Sequence, residues 1–249
     1  MASAPLTGKV ALITGASKGI GKATALRLAK DGASVVIGYS SDPSSAEELV
    51  KTIGDDRALA VQANVSEVAE IEKLVKQAVD KFGKIDILIP NAGTAPMQDL
   101  EQTTEKDFDY TMALNVKGPY FLSQKAVPHM APGSHIVLLS TSLCINSGIT
   151  PNYLLYVTSK GAIEQMTRVM AKDVARKGIN LNTIAPGPTG TELFYKGKSQ
   201  QLIDTIAGSS PFKKLGEPEE IADGIALLCG ADSRWISGQI LYVNGAAMV

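Results

Sequence analysis

The stretch Thr14–Gly21, "TGASKGIG", follows an apolar run and places three glycines within seven positions, with a lysine directly before the second glycine. Glycines let a backbone turn tightly and approach a ligand closely. Free N–H groups at the start of a following helix favour a phosphate. The stretch therefore predicts a phosphate-binding turn between a strand and a helix, although a plain tight turn has the same local pattern.

The spacing of these glycines excludes one common phosphate site. An ATP-binding P-loop needs a glycine five positions before its Gly-Lys pair and a serine or threonine after the lysine. Ala16 and Ala23 occupy those positions around Gly21 and Lys22. What remains is G-x-x-x-G-x-G, a variant of the G-x-G-x-x-G spacing of dinucleotide sites.

Outward from this turn, short runs rich in Val, Ile and Leu alternate with longer amphipathic stretches. Strands covered on both faces have this composition. The predicted strands are 10–14, 33–39, 58–62, 85–93, 135–140, 179–187 and 239–245, and the predicted helices are 19–30, 45–53, 67–82, 105–130, 156–177 and 218–229. The alternation predicts an α/β fold with a doubly wound parallel sheet of about seven strands, in a single domain over 1–249.

One long segment interrupts the alternation before the last helix. Residues 186–217 are rich in proline and glycine at their start. Long loops in compact domains are usually functional and are often lids. We therefore expect a substrate lid over about 188–216, in which Phe194 and Tyr195 either stack on an aromatic substrate or pack internally.

The bulk composition narrows the class of protein. A formal charge of −1 gives no electrostatic footprint for nucleic acid or an anionic membrane. Two cysteines, Cys144 and Cys229, are too few for a disulfide framework and favour a reducing compartment. No signal-peptide pattern, no apolar run of about 20 residues and no metal-ligand spacing occurs. We expect a cytoplasmic protein without a metal.

Four further motifs follow the glycine turn in a fixed order: "NAG" (91–93), Asn115, "YVTSK" (156–160) and "APG" (185–187). With them the chain resembles the short-chain dehydrogenase/reductase family over essentially its whole length, in particular the fungal polyhydroxynaphthalene reductases and 3-oxoacyl reductases. The resemblance implies a Rossmann-type fold, a nicotinamide cofactor and oxidoreductase chemistry.

The resemblance and the strand ends together give a set of candidate cofactor residues. They are Gly15, Ser17, Lys18, Gly19, Ile20, Gly21, Tyr39, Ser40, Ser41, Asn64, Val65, Asn91, Ala92, Gly93, Tyr156, Lys160, Pro186, Gly187, Thr189 and Thr191. Thr189 and Thr191 resemble the family's threonine that holds the nicotinamide amide, and Asn64 corresponds to a residue beside the adenine.

The end of the second predicted strand bears on the choice of cofactor. An NAD site places a carboxylate there, on the ribose hydroxyl. By resemblance Tyr39 holds that position, and Asp42 lies beyond the strand. A 2′-phosphate then meets no repulsion, Lys18 can pair with it, and two serines can donate hydrogen bonds. We therefore predict NADPH rather than NADH.

Tyr156 and Lys160 lie four residues apart at the start of a predicted helix, so their side chains share a face. A free phenol has a pKa of about 10 and exchanges protons poorly at neutral pH. A nearby cation favours the phenolate. We therefore expect Lys160, together with an oxidised nicotinamide, to lower the pKa of Tyr156 and allow it to protonate a carbonyl oxygen.

The family pairs this tyrosine with an upstream hydroxyl and with an asparagine. Ser142 lies fourteen residues before Tyr156, the separation in naphthol-type relatives, whereas counting along the strand indicates Thr141. We favour Ser142. By resemblance, Asn115 binds a water that links Lys160 to solvent as a proton path.

Three functions fit these motifs. The first is an NADPH-dependent carbonyl reductase, reversibly an alcohol dehydrogenase, acting on an aromatic polyketide-type or other small ketone. The second is an NAD(H)-dependent dehydrogenase of sugar alcohols or 3-oxoacyl thioesters. The third is a non-catalytic regulator that senses NADPH.

The helices 105–130 and 156–177 carry apolar residues beyond the needs of one sheet face. These are Tyr120, Phe121, Leu122, Ile163, Met166, Val169 and Met170. Related enzymes build a four-helix subunit interface from these helices. We therefore expect a homotetramer.

Overall fold

The computed structural model describes residues 4–248. Residues 1–3 and 249 of the predicted domain lie outside this range. The strands are β1 (Val10–Thr14), β2 (Ser34–Tyr39), β3 (Ala58–Gln62), β4 (Ile87–Ile89), β5 (His135–Leu139), β6 (Asn180–Pro186) and β7 (Ile240–Val243). The α-helices are α1 (Gly19–Lys30), α2 (Pro43–Ile53), α3 (Val68–Phe82), α4 (Glu105–Met112), α5 (Gly118–Ala126), α6 (Leu154–Ala175), α7 (Glu192–Tyr195), α8 (Gln200–Ser209) and α9 (Pro218–Leu227).

All seven strands form one parallel sheet in the order β3-β2-β1-β4-β5-β6-β7. The strand order reverses between β1 and β4, so a crevice opens at their carboxyl ends, where ligands bind in sheets of this type. The predicted α/β fold with a doubly wound sheet is confirmed.

The apolar character of β1 follows from its burial on both faces. Ala11 and Ile13 pack into a cluster with residues of α1, α2 and α9, whereas Leu12 packs into a second cluster with residues of α3, α5 and α6. Each fully buried Leu or Ile contributes roughly 1.5–3 kcal/mol. Helices therefore cover both faces of the sheet, and the crevice lies at the ends of strands that are packed on both sides.

The predicted helix 105–130 is interrupted. A π-helical turn, Ala113–Lys117, separates α4 from α5, and a 3₁₀ turn, Val127–His129, follows α5. Pro119 lacks an N–H and cannot donate to the carbonyl four residues earlier, and Gly118 donates to the carbonyl of Ala113 instead. The periodicity that predicts one helix does not register this break.

Two other boundaries differ from the sequence pattern. The sheet includes only three residues of the predicted strand 85–93; residues 85–86 precede β4, and residues 90–93 continue from its carboxyl end into the crevice. The lid segment contains the helices α7 and α8, which the sequence pattern does not predict.

Five of the seven apolar residues assigned to a subunit interface pack within the chain. Leu122 and Ile163 are buried, and Phe121, Met166 and Met170 lie half-buried against the same cluster. The interface assignment was wrong for Leu122 and Ile163, because these two side chains are used in covering the sheet, whereas the three half-buried side chains keep accessible surface. Tyr120 and Val169 are 46% and 70% exposed.

Within residues 4–248, no helix is both long enough and apolar enough to cross a membrane.

Candidate active site

The glycine turn lies at the crevice with the geometry that a phosphate requires. Gly15 has φ +62°, a conformation that side chains disfavour, and a Cβ at Gly21 would collide with the Gly15 carbonyl. The N-cap of α1 is Lys18, whose side chain accepts no hydrogen bond from the first turn. The N–H groups of that turn therefore face the crevice without a side-chain cap, as a dinucleotide phosphate needs.

Asn91 holds this turn rather than offering its amide to a ligand. Its Nδ2 donates to the carbonyls of Thr14 (2.9 Å) and Gly15 (3.1 Å). The N–H groups of Asn91 and Ala92 both donate to Thr14 Oγ1 at 3.1 Å. The "NAG" motif therefore holds the end of β4 against the glycine turn, and the side-chain N–H groups of Asn91 are used in doing so.

Gly93 also lies where a side chain would crowd the site. A Cβ there would lie 3.1 Å from Asn115 Oδ1 and 3.8 Å from Lys160 Nζ. The glycine thus lets the strand end approach both polar groups closely.

Lys18 has different partners from those the sequence suggests. Its Nζ lies 3.2 Å from Asp42 Oδ2 and 3.1 Å from Glu192 Oε2 on the lid. Asp42 is the N-cap of α2 and accepts hydrogen bonds from Ser44 and Ser45, which, with Lys18, hold the pKa of its carboxyl well below the usual range. The expectation that no carboxylate lies near the end of β2 is therefore wrong, because the turn after β2 brings the Asp42 carboxylate into contact with Lys18.

The remaining residues predicted around the adenosine end lie at the carboxyl ends of β2 and β3. Tyr39 is half-buried, and Ser40 and Ser41 are exposed. Asn64 is exposed, and its Oδ1 accepts hydrogen bonds from Ser66, whereas Val65 is buried. All five line the same edge of the sheet as the glycine turn.

A cavity of about 450 Å³ extends from the glycine turn to the lid. Its lining includes Tyr156, Lys160 and Thr141, together with Ile20 from α1 and the loop Pro186–Thr191. Drug-sized ligands bind in cavities of this volume. The structure therefore places a phenol, an ammonium and a hydroxyl on the wall of a single ligand-sized cavity.

Burial dominates the protonation of Tyr156 and Lys160 in this structure. Loss of hydration raises the pKa of Tyr156 to about 12, a rise that a hydrogen bond with Thr141 partly offsets. Burial also lowers the pKa of Lys160 to about 8, and its Nζ donates to the Leu139 carbonyl at 2.8 Å. In this structure burial raises the pKa of Tyr156, in the opposite direction to the lowering expected from Lys160.

Ser142 does not reach the cavity. Its side chain is fully buried, donates to the Ala185 carbonyl at 3.0 Å and accepts from Asn244 Nδ2 at 3.2 Å. Thr141 lines the cavity, and its hydroxyl is close enough to Tyr156 to lower the pKa of the phenol in part. The preference for Ser142 was wrong in geometry, because the loop after β5 is one residue longer than the assumed spacing allows.

Asn115 is buried in the π-helical turn with its side chain fully engaged. Its Oδ1 accepts from the Thr94 N–H, and its Nδ2 donates to the Thr94 carbonyl, both at 2.9 Å. The same Nδ2 donates to Ser159 Oγ at 3.0 Å. Asn115 therefore ties the segment at Thr94 to the start of α6, and its predicted water stays a prediction.

The first and last residues of the lid segment are hydrogen-bonded to each other. Gly190 donates to the carbonyl of Gly216, and Gly216 donates to the carbonyl of Pro188, both at 2.9 Å. Thr191 caps α7 and lines the cavity, and Thr189 is buried with its hydroxyl donating to Gly187. Phe194 lines the cavity, whereas Tyr195 packs edge-to-face on it.

Comparison with known proteins agrees with this geometry. A family model described as enoyl-(acyl carrier protein) reductase matches residues 15–246. A short-chain dehydrogenase of Burkholderia cenocepacia J2315, solved in complex with NADP, is 33% identical with a TM-score of 0.92, and the match covers 98% of this chain and 99% of that one.

The chain belongs to the short-chain dehydrogenase/reductase family.

Two curated members of the family are similar along nearly their whole length. The hydroxynaphthalene reductase-like protein Arp2 of Metarhizium robertsii is 38% identical, over 98% of this chain and 96% of that protein. The chloroplastic NADPH-dependent aldehyde reductase-like protein of Arabidopsis thaliana is 36% identical, over 97% and 94% respectively. As a member of the family, the chain is an oxidoreductase.

The family motifs do not reveal every side chain at the site. Thr94 and Ser159 fix Asn115, and Glu192 reaches Lys18 from the lid. Lys198 lines the cavity from the lid as well. Ser159 lies within "YVTSK", but the lid residues have no periodic or motif signal, so only the folded chain brings them to the site.

Proposed function

We propose that the protein is an NADPH-dependent carbonyl reductase, and reversibly an alcohol dehydrogenase, that interconverts a ketone and a secondary alcohol. The observation that carries the proposal is the joint position of Tyr156, Lys160 and Thr141 on one cavity that continues to the glycine turn. The cofactor-bound relatives support a nicotinamide nucleotide.

Tyr156, Thr141 and Lys160 have different roles in the proposed reaction. When bound, the reduced nicotinamide would supply a hydride to the carbonyl carbon. Tyr156 donates its proton to the carbonyl oxygen, which becomes the alcohol hydroxyl, and Thr141 donates a hydrogen bond to the same oxygen. Lys160, held by the Leu139 carbonyl, provides a positive charge behind the phenol and returns a proton to it.

Burial sets a condition on this chemistry. A phenol whose pKa is near 12 keeps its proton at neutral pH, so the proton is present when the carbonyl oxygen gains charge, but such a phenol is a weaker acid than free tyrosine. The reverse reaction needs the phenolate, and an additional positive charge in the cavity would favour it.

Tyr156→Phe tests the proposal directly. We expect ketone-dependent oxidation of NADPH to fall by roughly 10²–10⁴-fold, since the variant cannot supply the proton. Tyr153→Phe is the matched control: Tyr153 lines the same cavity, but Val157 stands four residues after it in place of a lysine. Undiminished turnover in Tyr156→Phe would exclude this mechanism, and tight NADPH binding with no turnover of any ketone would favour a regulator.

A further inference from the structure

Lys198 is a cation of the lid that faces the candidate active site. It follows α7, is half-buried, and lines the cavity together with Phe194, Leu202 and Ile206. Its Nζ donates to the Phe194 carbonyl at 2.7 Å and lies 4.8 Å from the centre of the Phe194 ring. These contacts fix the ammonium at the cavity wall.

The charges around this cavity are unbalanced. Among the lining residues within 4–248, only Lys160 and Lys198 are charged, and no aspartate or glutamate lines the cavity. Lys160 is held by the Leu139 carbonyl beside Tyr156. The lid ammonium therefore adds positive charge at a second place on an otherwise largely apolar wall.

A purely structural role accounts for only one of the hydrogen-bond donors of Lys198. The side chain closes α7 by donating to a carbonyl of its last turn, as lysines at helix C-termini do. An ammonium has three N–H donors, and this contact uses one of them. Within the part of the chain described, no carboxylate lies within ion-pair distance of Nζ.

The half-buried position has an energetic consequence. Loss of hydration lowers the pKa of Lys198, and no protein anion compensates for it. The Phe194 ring, whose centre lies 4.8 Å from Nζ, attracts the ammonium but carries no full negative charge. An anionic group of a ligand would restore the missing interaction, because charge-assisted hydrogen bonds are about twice as strong as neutral ones.

We propose that Lys198 binds a carboxylate of the substrate, so that the ketones preferred by this protein are apolar keto acids with one anionic end. The apolar body would lie against Leu202, Ile206 and Phe194, and the carboxylate would accept hydrogen bonds from the lid ammonium. This assignment rests on the proposed reductase function, since it places the reacting carbonyl at Tyr156.

A matched pair of substrates tests the assignment. We would compare 4-oxo-4-phenylbutanoate with its primary amide, and repeat the comparison with one or two further methylene groups between ketone and carboxylate. The acid should exceed the amide in kcat/KM by about tenfold or more at the best spacing, which corresponds to about 1.4 kcal/mol. Lys198→Met should bring the ratio to about one, and Lys198→Arg should largely keep it.

Lys196→Met is the control, because Lys196 lies on the same lid but is exposed and does not line the cavity. It should keep the wild-type ratio. Equal loss for acid and amide in Lys198→Met would mean that Lys198 only holds the lid, and would overturn the assignment. A higher KM for NADPH with an unchanged ratio would assign the ammonium to the cofactor, and would overturn it too.

A binding measurement separates this inference from the proposed function. Calorimetric titration with 4-phenylbutanoate and 4-phenylbutanamide, neither of which has a ketone to reduce, needs no turnover. Tighter binding of the acid in the wild type, lost in Lys198→Met, would support the carboxylate site even if no ketone were reduced, which would refute the reductase function alone. Equal binding of the two compounds would overturn the carboxylate site, whatever the activity.

Discussion

Thr141 and Ser142 are neighbours in the chain but face different surroundings. The Thr141 hydroxyl lines the cavity, whereas the Ser142 hydroxyl is used by Ala185 and Asn244 beneath it. We expect Thr141→Val to lower kcat by about 10²–10³-fold, the usual cost of removing one donor to a developing oxyanion. Steady-state kinetics of ketone reduction measures this.

Two companion variants make the comparison specific. Thr141→Ser keeps the hydroxyl and should restore most of the activity. Ser142→Ala should keep kcat within a few-fold and lose about 1–3 kcal/mol of stability, since the Ala185 carbonyl loses its partner. The opposite pattern, with Ser142→Ala inactive and Thr141→Val active, would show that Ser142, not Thr141, donates the hydrogen bond to the substrate oxygen.

Lys160 illustrates a conflict between function and stability at one residue. Its pKa of about 8 in the folded chain, against 10.5 when exposed, corresponds to a cost of roughly 3 kcal/mol for burying the ammonium at pH 7. Between pH 8 and 10.5 the unfolded chain retains a proton that the folded chain has lost. Stability from this group therefore rises with pH across that window.

Lys160→Met removes the buried charge and with it this pH dependence. The free energy of unfolding of the variant minus that of the wild type should fall by roughly 3 kcal/mol between pH 7 and pH 10.5. Urea unfolding at the two pH values measures it, with the exposed Lys172→Met on the same helix as control. A difference that stays constant with pH would show that Lys160 is not desolvated as the structure indicates.

At the scale of elements, strands buried on both faces were predictable and local breaks were not. The run Val10–Thr14 has the composition of a strand because helices cover both faces of the sheet there, and it forms that strand with the predicted bounds. The break at Ala113–Lys117 depends on a single missing N–H at Pro119, inside a pattern that remains apolar at helical spacing. Three-residue β4 ends early because its continuation is held by Thr14 in the crevice.

The candidate site shows the same division. Tyr156 and Lys160 were predictable because their spacing is local to α6. The choice between Thr141 and Ser142 depends on a loop length, and Lys198 and Glu192 depend on how the lid folds over the sheet. The direction in which the Tyr156 pKa shifts was not predictable either, because the burial of a side chain does not follow from its neighbours in the sequence.

Three elements meet at Lys18: the glycine turn, the N-terminus of α2 and the lid. If a 2′-phosphate binds there, Lys18→Ala should raise the KM for NADPH severalfold and leave that for NADH almost unchanged. Asp42→Asn keeps the helix cap but removes a negative charge beside the phosphate. It should therefore lower the KM for NADPH and leave α2 intact.

Initial-rate kinetics with both cofactors measures these effects. Lys30→Ala is the control, since Lys30 lies at the opposite end of α1 and is exposed. Equal changes for NADPH and NADH in Lys18→Ala would argue against a 2′-phosphate at this place. A higher KM for NADH in Asp42→Asn would indicate that Asp42 receives a ribose hydroxyl and that NADH is also used.

At the scale of the whole molecule, the apolar surface left by the fold bears on assembly. Phe108, Tyr110 and Tyr120 on α4 and α5 are about half exposed, and Val169 on α6 is 70% exposed. The helices α4 and α6, which carry three of these four side chains, contact one another. We propose that this surface, Phe108–Tyr110–Tyr120–Val169, is part of the interface of a homotetramer.

Val169→Glu tests the assembly. A carboxylate placed in an apolar interface loses hydration without a partner, so the variant should dissociate to dimers or monomers in light scattering at a concentration where the wild type has four times the mass of one chain. Thr52→Glu introduces the same charge at an exposed β-branched residue of α2 and should stay tetrameric. A wild-type protein of monomer mass, or a Val169→Glu variant as large as the wild type, would remove this surface from the interface. Val169 lies on α6, the helix that carries Tyr156 and Lys160. Loss of subunit contacts on α6 should therefore also lower the activity of the dissociated variant.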